Sequence, residues 1–185
     1  MTVRLFRVAR PAGSAANVAK TLLQIVVVWG FALGALPWLA VQAEDAVGVA
    51  RWGWPGRHVL GAAVLVAGSS LGLVSAWVMA TVGRGTPVPF DAARELVVVG
   101  PYRVVRNPMA VSAAVQMVGV AIAYGSAAAL ALAAGGAVLW NVAIRPGEER
   151  FLAERFGRSY EAYRAAVRCW VPRRHIWRAP GVGVP

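Results

Sequence analysis

The chain is poor in the side chains that build most polar enzyme sites. Its 185 residues include one cysteine, Cys169, and two histidines, His58 and His175. A single thiol excludes an intramolecular disulfide and any cysteine-based metal cluster. Scattered imidazoles without clustered acidic ligands argue against a metal site. Acidic residues number 8 against 19 basic ones, and all but one of the basic residues are arginine. Such arginine usage is compatible with a GC-rich bacterial coding sequence. No internal repeat, P-loop or Rossmann glycine spacing is present. The net charge of +11 comes with no nucleic-acid recognition motif, so it reads as attraction to anionic lipid headgroups.

What the chain has in abundance is apolar length. Hydrophobic residues make up 58% of it and mean hydropathy is +0.58, too apolar for an ordinary soluble domain. Uncharged runs at 21–43, 59–82, 109–124 and 127–144 predict four membrane helices. Gly125 and Ser126 alone separate the last two, so these form a tight antiparallel hairpin. Helices apolar all round have no face for water, which excludes a soluble bundle. A cleaved leader is the competing reading of the first run, with Val41-Gln42-Ala43 as a small-residue cleavage site. The long basic segment before the run and the run's own length weigh against it.

Charge is unevenly shared between the two ends. Alternate connections and termini sum to 17 basic residues on one side and 2 on the other. The positive-inside rule predicts cytoplasmic N- and C-termini and places the chain in a bacterial cytoplasmic membrane. Gly61, Gly68, Gly72, Ser69, Ser70 and Ser75 give the second run small surfaces for close helix packing. Pro87 and Pro89 predict a rigid, extended loop around 83–91. From 147 to 168, Phe151, Leu152, Phe156, Tyr160, Tyr163 and Val167 recur at helical spacing between charged residues. That pattern predicts an amphipathic cytoplasmic helix, lying in the interface or docked on the other helices. Trp170 and Trp177 extend it as interfacial anchors. The expected fold is therefore one all-α membrane domain over 1–185.

Two polar clusters interrupt this apolar chain, Gly100-Pro101-Tyr102-Arg103-Val104-Val105-Arg106-Asn107-Pro108 and Glu148-Glu149. Charge beside apolar runs is costly and points to function. The residues also permit plain roles. Pro146 suits the first turn of a new helix, where Glu148 and Glu149 would complement the macrodipole. Arg103 and Arg106 could meet lipid phosphates, Tyr102 could anchor at the interface, and Asn107 could be a turn residue before proline.

The order of these marks resembles the isoprenylcysteine carboxyl methyltransferase and phospholipid methyltransferase superfamily. Its GPYRxxR(H/N)P segment matches 100–108, its paired glutamate matches 148–149, and its FGxxYxxY tail matches 156–163. The resemblance implies S-adenosylmethionine bound at the cytoplasmic end of the last helices, with a lipophilic acceptor entering from the bilayer. The implied cofactor set is Gly100, Tyr102, Arg106, Asn107, Pro108, Glu148 and Glu149, with no metal. Glu148 or Glu149 would accept from the ammonium or ribose, Arg106 would pair with the carboxylate, and Asn107 would meet a hydroxyl or adenine. Methyl transfer needs orientation and water exclusion more than a strong base. No catalytic residue is therefore singled out, with Arg106 and Asn107 the nearest candidates. Asn107 replaces the commoner histidine, and Ala110 replaces a usual tyrosine. The implied acceptor is a lipophilic small molecule or lipid, methylated at a carboxylate oxygen, thiol sulfur or amine nitrogen. Phospholipid headgroup N-methylation and a non-catalytic membrane scaffold are the alternatives. Oligomeric state is not legible.

Overall fold

A computed structural model describes residues 7–86 and 91–172. Pro87, Pro89, His175 and Trp177 lie outside these described residues. The described chain is helical, in the order α1 (Ser14–Trp29), α2 (Leu36–Ala46), α3 (Arg57–Thr81), α4 (Pro108–Tyr124), α5 (Ala127–Leu139) and α6 (Arg145–Ala166). Its β pairing, among the described residues, is one isolated bridge between Val8 and Ala92. That bridge ties the chain before α1 to the loop after α3, through Ala9 N–H to Ala92 O at 3.0 Å and Ala92 N–H to Arg7 O at 2.8 Å.

Two π turns join successive helices into longer ones. Gly30–Ala35 links α1 to α2 and Trp140–Ile144 links α5 to α6. A proline follows each, at Pro37 and Pro146. Proline in a helix lacks a donor and crowds the carbonyl four residues earlier, here Leu33 or Val142. A widened turn relieves that crowding without ending the helix. The continuous helices Ser14–Ala46 and Ala127–Ala166, together with Arg57–Thr81, are long and apolar enough to cross a membrane, whereas Pro108–Tyr124 is shorter. The first helix thus runs beyond the expected 21–43 at both ends. The expected new helix at Pro146 is a continuation instead. Glu148 and Glu149 follow helical residues and do not sit at a free helix N-terminus. Their simple macrodipole role therefore fails. The apolar half of the last helix ends at Ile144, and the charged α6 continues past it to a kink at Gly157.

Small residues bring α3 and α4 together. A Cβ on Gly61 would stand 2.7 Å from Gly119 O, and one on Gly72 would stand 2.4 Å from Ser112 Oγ. These distances are below contact, so the seam requires glycine. Ser112 Oγ donates to Gly68 O at 2.8 Å, Gln116 Nε2 donates to Ser112 Oγ at 2.7 Å, and Ser69 Oγ donates to Gln116 Oε1 at 3.2 Å.

The sparsely charged connections meet at one end of the bundle. Gly125 adopts φ 66° at the hairpin turn and packs on Trp52 O, where a Cβ would stand 1.9 Å away. Trp52 N–H donates to Gly125 O at 3.0 Å, and Ala128 N–H donates to Glu44 Oε1 at 2.7 Å. The arginine-rich turn at 100–106 and the start of α6 gather at the other end, where the tail docks on the bundle. Tyr160, Tyr163 and Val167 form its buried core with Leu96, Val98, Leu152 and Phe156. Trp170 is not a free interfacial anchor, since its indole donates to Asn141 Oδ1 at 2.9 Å and packs edge-on against Trp140.

Candidate functional site

A 3-10 turn, Gly100–Arg103, leads into α4. Tyr102 in this turn is buried, and its hydroxyl donates to Ser75 O on α3 at 3.4 Å. Its own carbonyl accepts from the Tyr163 hydroxyl at 2.6 Å. Tyrosines from two motifs thus clamp the tail to the bundle, and burial pushes both hydroxyls well above the usual tyrosine range. Asn107 caps α4, its Oδ1 accepting from Ala110 N–H at 3.0 Å. Its Nδ2 is then left to donate to Glu148 Oε2 at 3.2 Å.

Arg106 closes the end of α6. Its Nη1 donates to Arg164 O at 2.9 Å and Val167 O at 2.8 Å, carbonyls that the helix end leaves unpaired. Its backbone N–H donates to Arg168 O at 2.8 Å. Its Nη2 donates to Glu149 Oε1 at 2.5 Å, and Arg145 Nε reaches the same oxygen at 2.8 Å. Arg145 Nη1 also donates to Asn141 Oδ1 at 2.8 Å. Burial opposes the charge on Glu149, but Arg145 and Arg106 outweigh it and hold the carboxyl below the ordinary carboxylate range.

The neighbouring glutamate is in the opposite state. Glu148 is in no ion pair among the described residues, and Asn107 is its one hydrogen-bond partner among the described side chains. Burial, then the charge of Glu149, push its carboxyl up to about 7 against the lowering bond from Asn107. Adjacent carboxylates thus have different duties. Glu149 holds the architecture together, and Glu148 faces the cavity with spare acceptor capacity.

These groups form one pole of a cavity of about 470 Å³, within the range of about 300–1,000 Å³ typical of small-ligand sites. Of the expected site residues, the cavity brings together Tyr102, Arg106, Asn107, Glu148 and Glu149. Gly100 and Pro108 do not line it. Gly100 turns the chain with φ 57°, and Pro108 is buried in the first turn of α4. Phe156, Tyr160 and Tyr163 of the tail also face it, as does Thr86 of the loop after α3. Ala110 lines it too, so the small side chain there leaves room.

Sequence reading missed the part of the lining that α1 supplies. Thr21, Gln24, Ile25, Val28 and Trp29 of α1 line the cavity. The available signal was polar residues within an apolar helix at helical spacing, Asn17, Thr21 and Gln24. Charged residues around the whole cavity are Glu95, Arg106, Arg145, Glu148 and Glu149. Both arginines are engaged with Glu149, so the unspent charge is negative. A ligand with a positive centre fits this set.

Residues 56–159, more than half of the chain, match the family model described as phospholipid methyltransferase. No curated protein and no solved structure matches the chain.

Proposed function

Because the chain belongs to the phospholipid methyltransferase family, a family of membrane methyltransferases, we propose that it methylates a lipophilic acceptor from S-adenosylmethionine. The reaction takes place at the cytoplasmic face of a bacterial membrane, the side to which the basic residues are drawn. The observation that carries this reading is the two-sided cavity, with Glu148 and the Arg106–Glu149 pair at one pole and apolar helix walls beyond it. When bound, S-adenosylmethionine supplies a methyl group already activated on a sulfonium. Glu148 accepts from its ammonium, and an incoming cation holds that carboxyl ionised. Asn107 fixes the Glu148 side chain. Arg106 spends three of its N–H groups on protein acceptors, and the remainder of its five face the cofactor carboxylate. Ile25, Met109 and Ala113 provide apolar surface and keep water from the transferring methyl.

The chain's own contribution is orientation. Two substrates held in line gain most of what such a displacement needs. The acceptor atom is a carboxylate oxygen, thiol sulfur or amine nitrogen. The family's description favours a second reading, N-methylation of a phospholipid headgroup. Against it, both arginines lining the cavity are paired with Glu149, and the N–H groups left on Arg106 are taken by the cofactor carboxylate, so a headgroup phosphate has no cation of its own.

The test is methyl transfer from labelled S-adenosylmethionine into total membrane extract by the purified protein, with identification of the labelled product. A labelled non-phospholipid lipophile is expected. A labelled headgroup amine would favour the second reading. Absence of both labelling and S-adenosylhomocysteine binding would leave the chain a scaffold.

A further inference from the structure

α1 is divided lengthwise. Leu22, Leu23, Val26 and Val27 are exposed on its outer face, whereas Asn17 and Thr21 are buried on its inner face. Asn17, Thr21 and Gln24 fall at steps of four and three and so share one stripe. Polar groups buried in an apolar helix are costly unless they are hydrogen-bonded. These are not. Both amide atoms of Asn17, Thr21 Oγ1 and Gln24 Oε1 are buried with no hydrogen-bond partner among the described residues. Only Gln24 Nε2 is engaged, donating to Thr86 Oγ1 at 3.3 Å, which leaves the amide oxygen turned to accept. Thr21 and Gln24 line the cavity, and Asn17 continues the stripe one turn earlier.

Three further observations define what this wall can hold. Its groups are neutral donors and acceptors. The cation on this helix, Lys20, stands 3.6 Å from the Asp91 carboxylate and is thereby neutralised. Val28 lines the cavity yet is 52% exposed, so the wall beside the stripe opens sideways towards the lipid-facing surface. The stripe also lies outside the matched span 56–159, so membership of the family does not specify it.

We propose that Thr21 and Gln24, with Asn17 behind them on the same stripe, form the polar subsite for the methyl acceptor. They bind an apolar molecule through an uncharged hydrogen-bonding group, a hydroxyl, carbonyl or amide, and discriminate against phosphate headgroups. The inference rests on the methyltransferase reading for the occupant of the Glu148 pole. It deepens that reading by naming the acceptor class. The unsatisfied groups on α1 are the source of selectivity, because a neutral ligand satisfies them and the α1 wall offers an anion only Lys20, which is paired with Asp91.

The test uses the full chain in phosphatidylcholine nanodiscs, with labelled hexadecanol and labelled hexadecyl phosphate as probes. Thr21→Val and Gln24→Met keep shape and remove hydrogen bonding. Saturable hexadecanol binding is expected in the wild type, weakened at least tenfold in the double variant, with hexadecyl phosphate a poor competitor. S-adenosylhomocysteine affinity is measured in parallel and should be the same in both proteins, which also reports that the variant is folded. Equal hexadecanol affinity in wild type and variant overturns the subsite, as does absence of saturable wild-type binding or preference for the phosphate. Failure of S-adenosylhomocysteine to bind the wild type would instead overturn the methyltransferase reading.

Discussion

Two clusters of neutral polar side chains are buried in this bundle, and they are wired differently. At the α3–α4 seam, Ser69, Ser112 and Gln116 bond to one another and to the Gly68 carbonyl. On α1, Asn17, Thr21 and the Gln24 oxygen have no hydrogen-bond partner among the described residues. The two groups look alike in sequence, being small polar residues at helical spacing in apolar runs. The difference is distance. Glycines at the seam let backbones approach until a serine hydroxyl reaches a carbonyl, whereas Thr21 and Gln24 of α1 border a cavity. Close approach turns polar residues into glue, and separation leaves them available to a ligand.

Substitutions at the most heavily wired point should have the largest effect. Arg106→Ala removes one of the two cations on Glu149, and with it the donor that holds the last carbonyls of α6. Breaking a buried pair of this kind costs about 3–5 kcal/mol, so the tail should undock and the unfolding temperature in detergent should fall steeply. A near-wild-type melting curve would show that the network does not hold the tail. Within the comparison itself, Ser112→Ala should cost about 1 kcal/mol. It removes the hydroxyl's bonds to the Gly68 carbonyl and Gln116 Nε2, which keeps the Ser112 carbonyl as an acceptor, without altering S-adenosylhomocysteine affinity. A loss of affinity with unchanged stability would move the seam from glue to site.

Glu148 offers a pH test of the open pole. Its folded-state carboxyl lies at about 7, above the ordinary 4.5. The folded state therefore binds the extra proton between those values. This stability is fully present below 4.5 and lost as pH rises through about 7. Glu148→Gln should flatten that fall in melting temperature. If the variant keeps the wild-type slope, another group is responsible. The smallest effect is expected on α1. Thr21→Val breaks no hydrogen bond, so stability should stay within about 0.5 kcal/mol or rise. Destabilisation equal to that of Ser112→Ala would collapse the distinction between the two clusters.

Legibility followed the same division. The polar pole could be read because its residues sit in short, ordered motifs, and Tyr102, Arg106, Asn107, Glu148 and Glu149 do converge. Their separate duties could not be read, since adjacent glutamates look identical until Arg106 and Arg145 are seen to converge on Glu149 alone. Pro146 signalled a helix start because proline favours first turns, but the preceding π turn absorbs it. The α1 wall was missed because it lies far from the motifs in the chain.

Composition and periodicity by themselves determined an all-helical membrane protein with its charge at one end, because hydrocarbon thickness and backbone satisfaction admit little else. Local motifs determined the family. Only the tertiary structure decided which polar groups are spent and which are free. Hydrogen-bond partners depend on approach to within about 3 Å, and that distance is set by how helices pack rather than by spacing along any one of them.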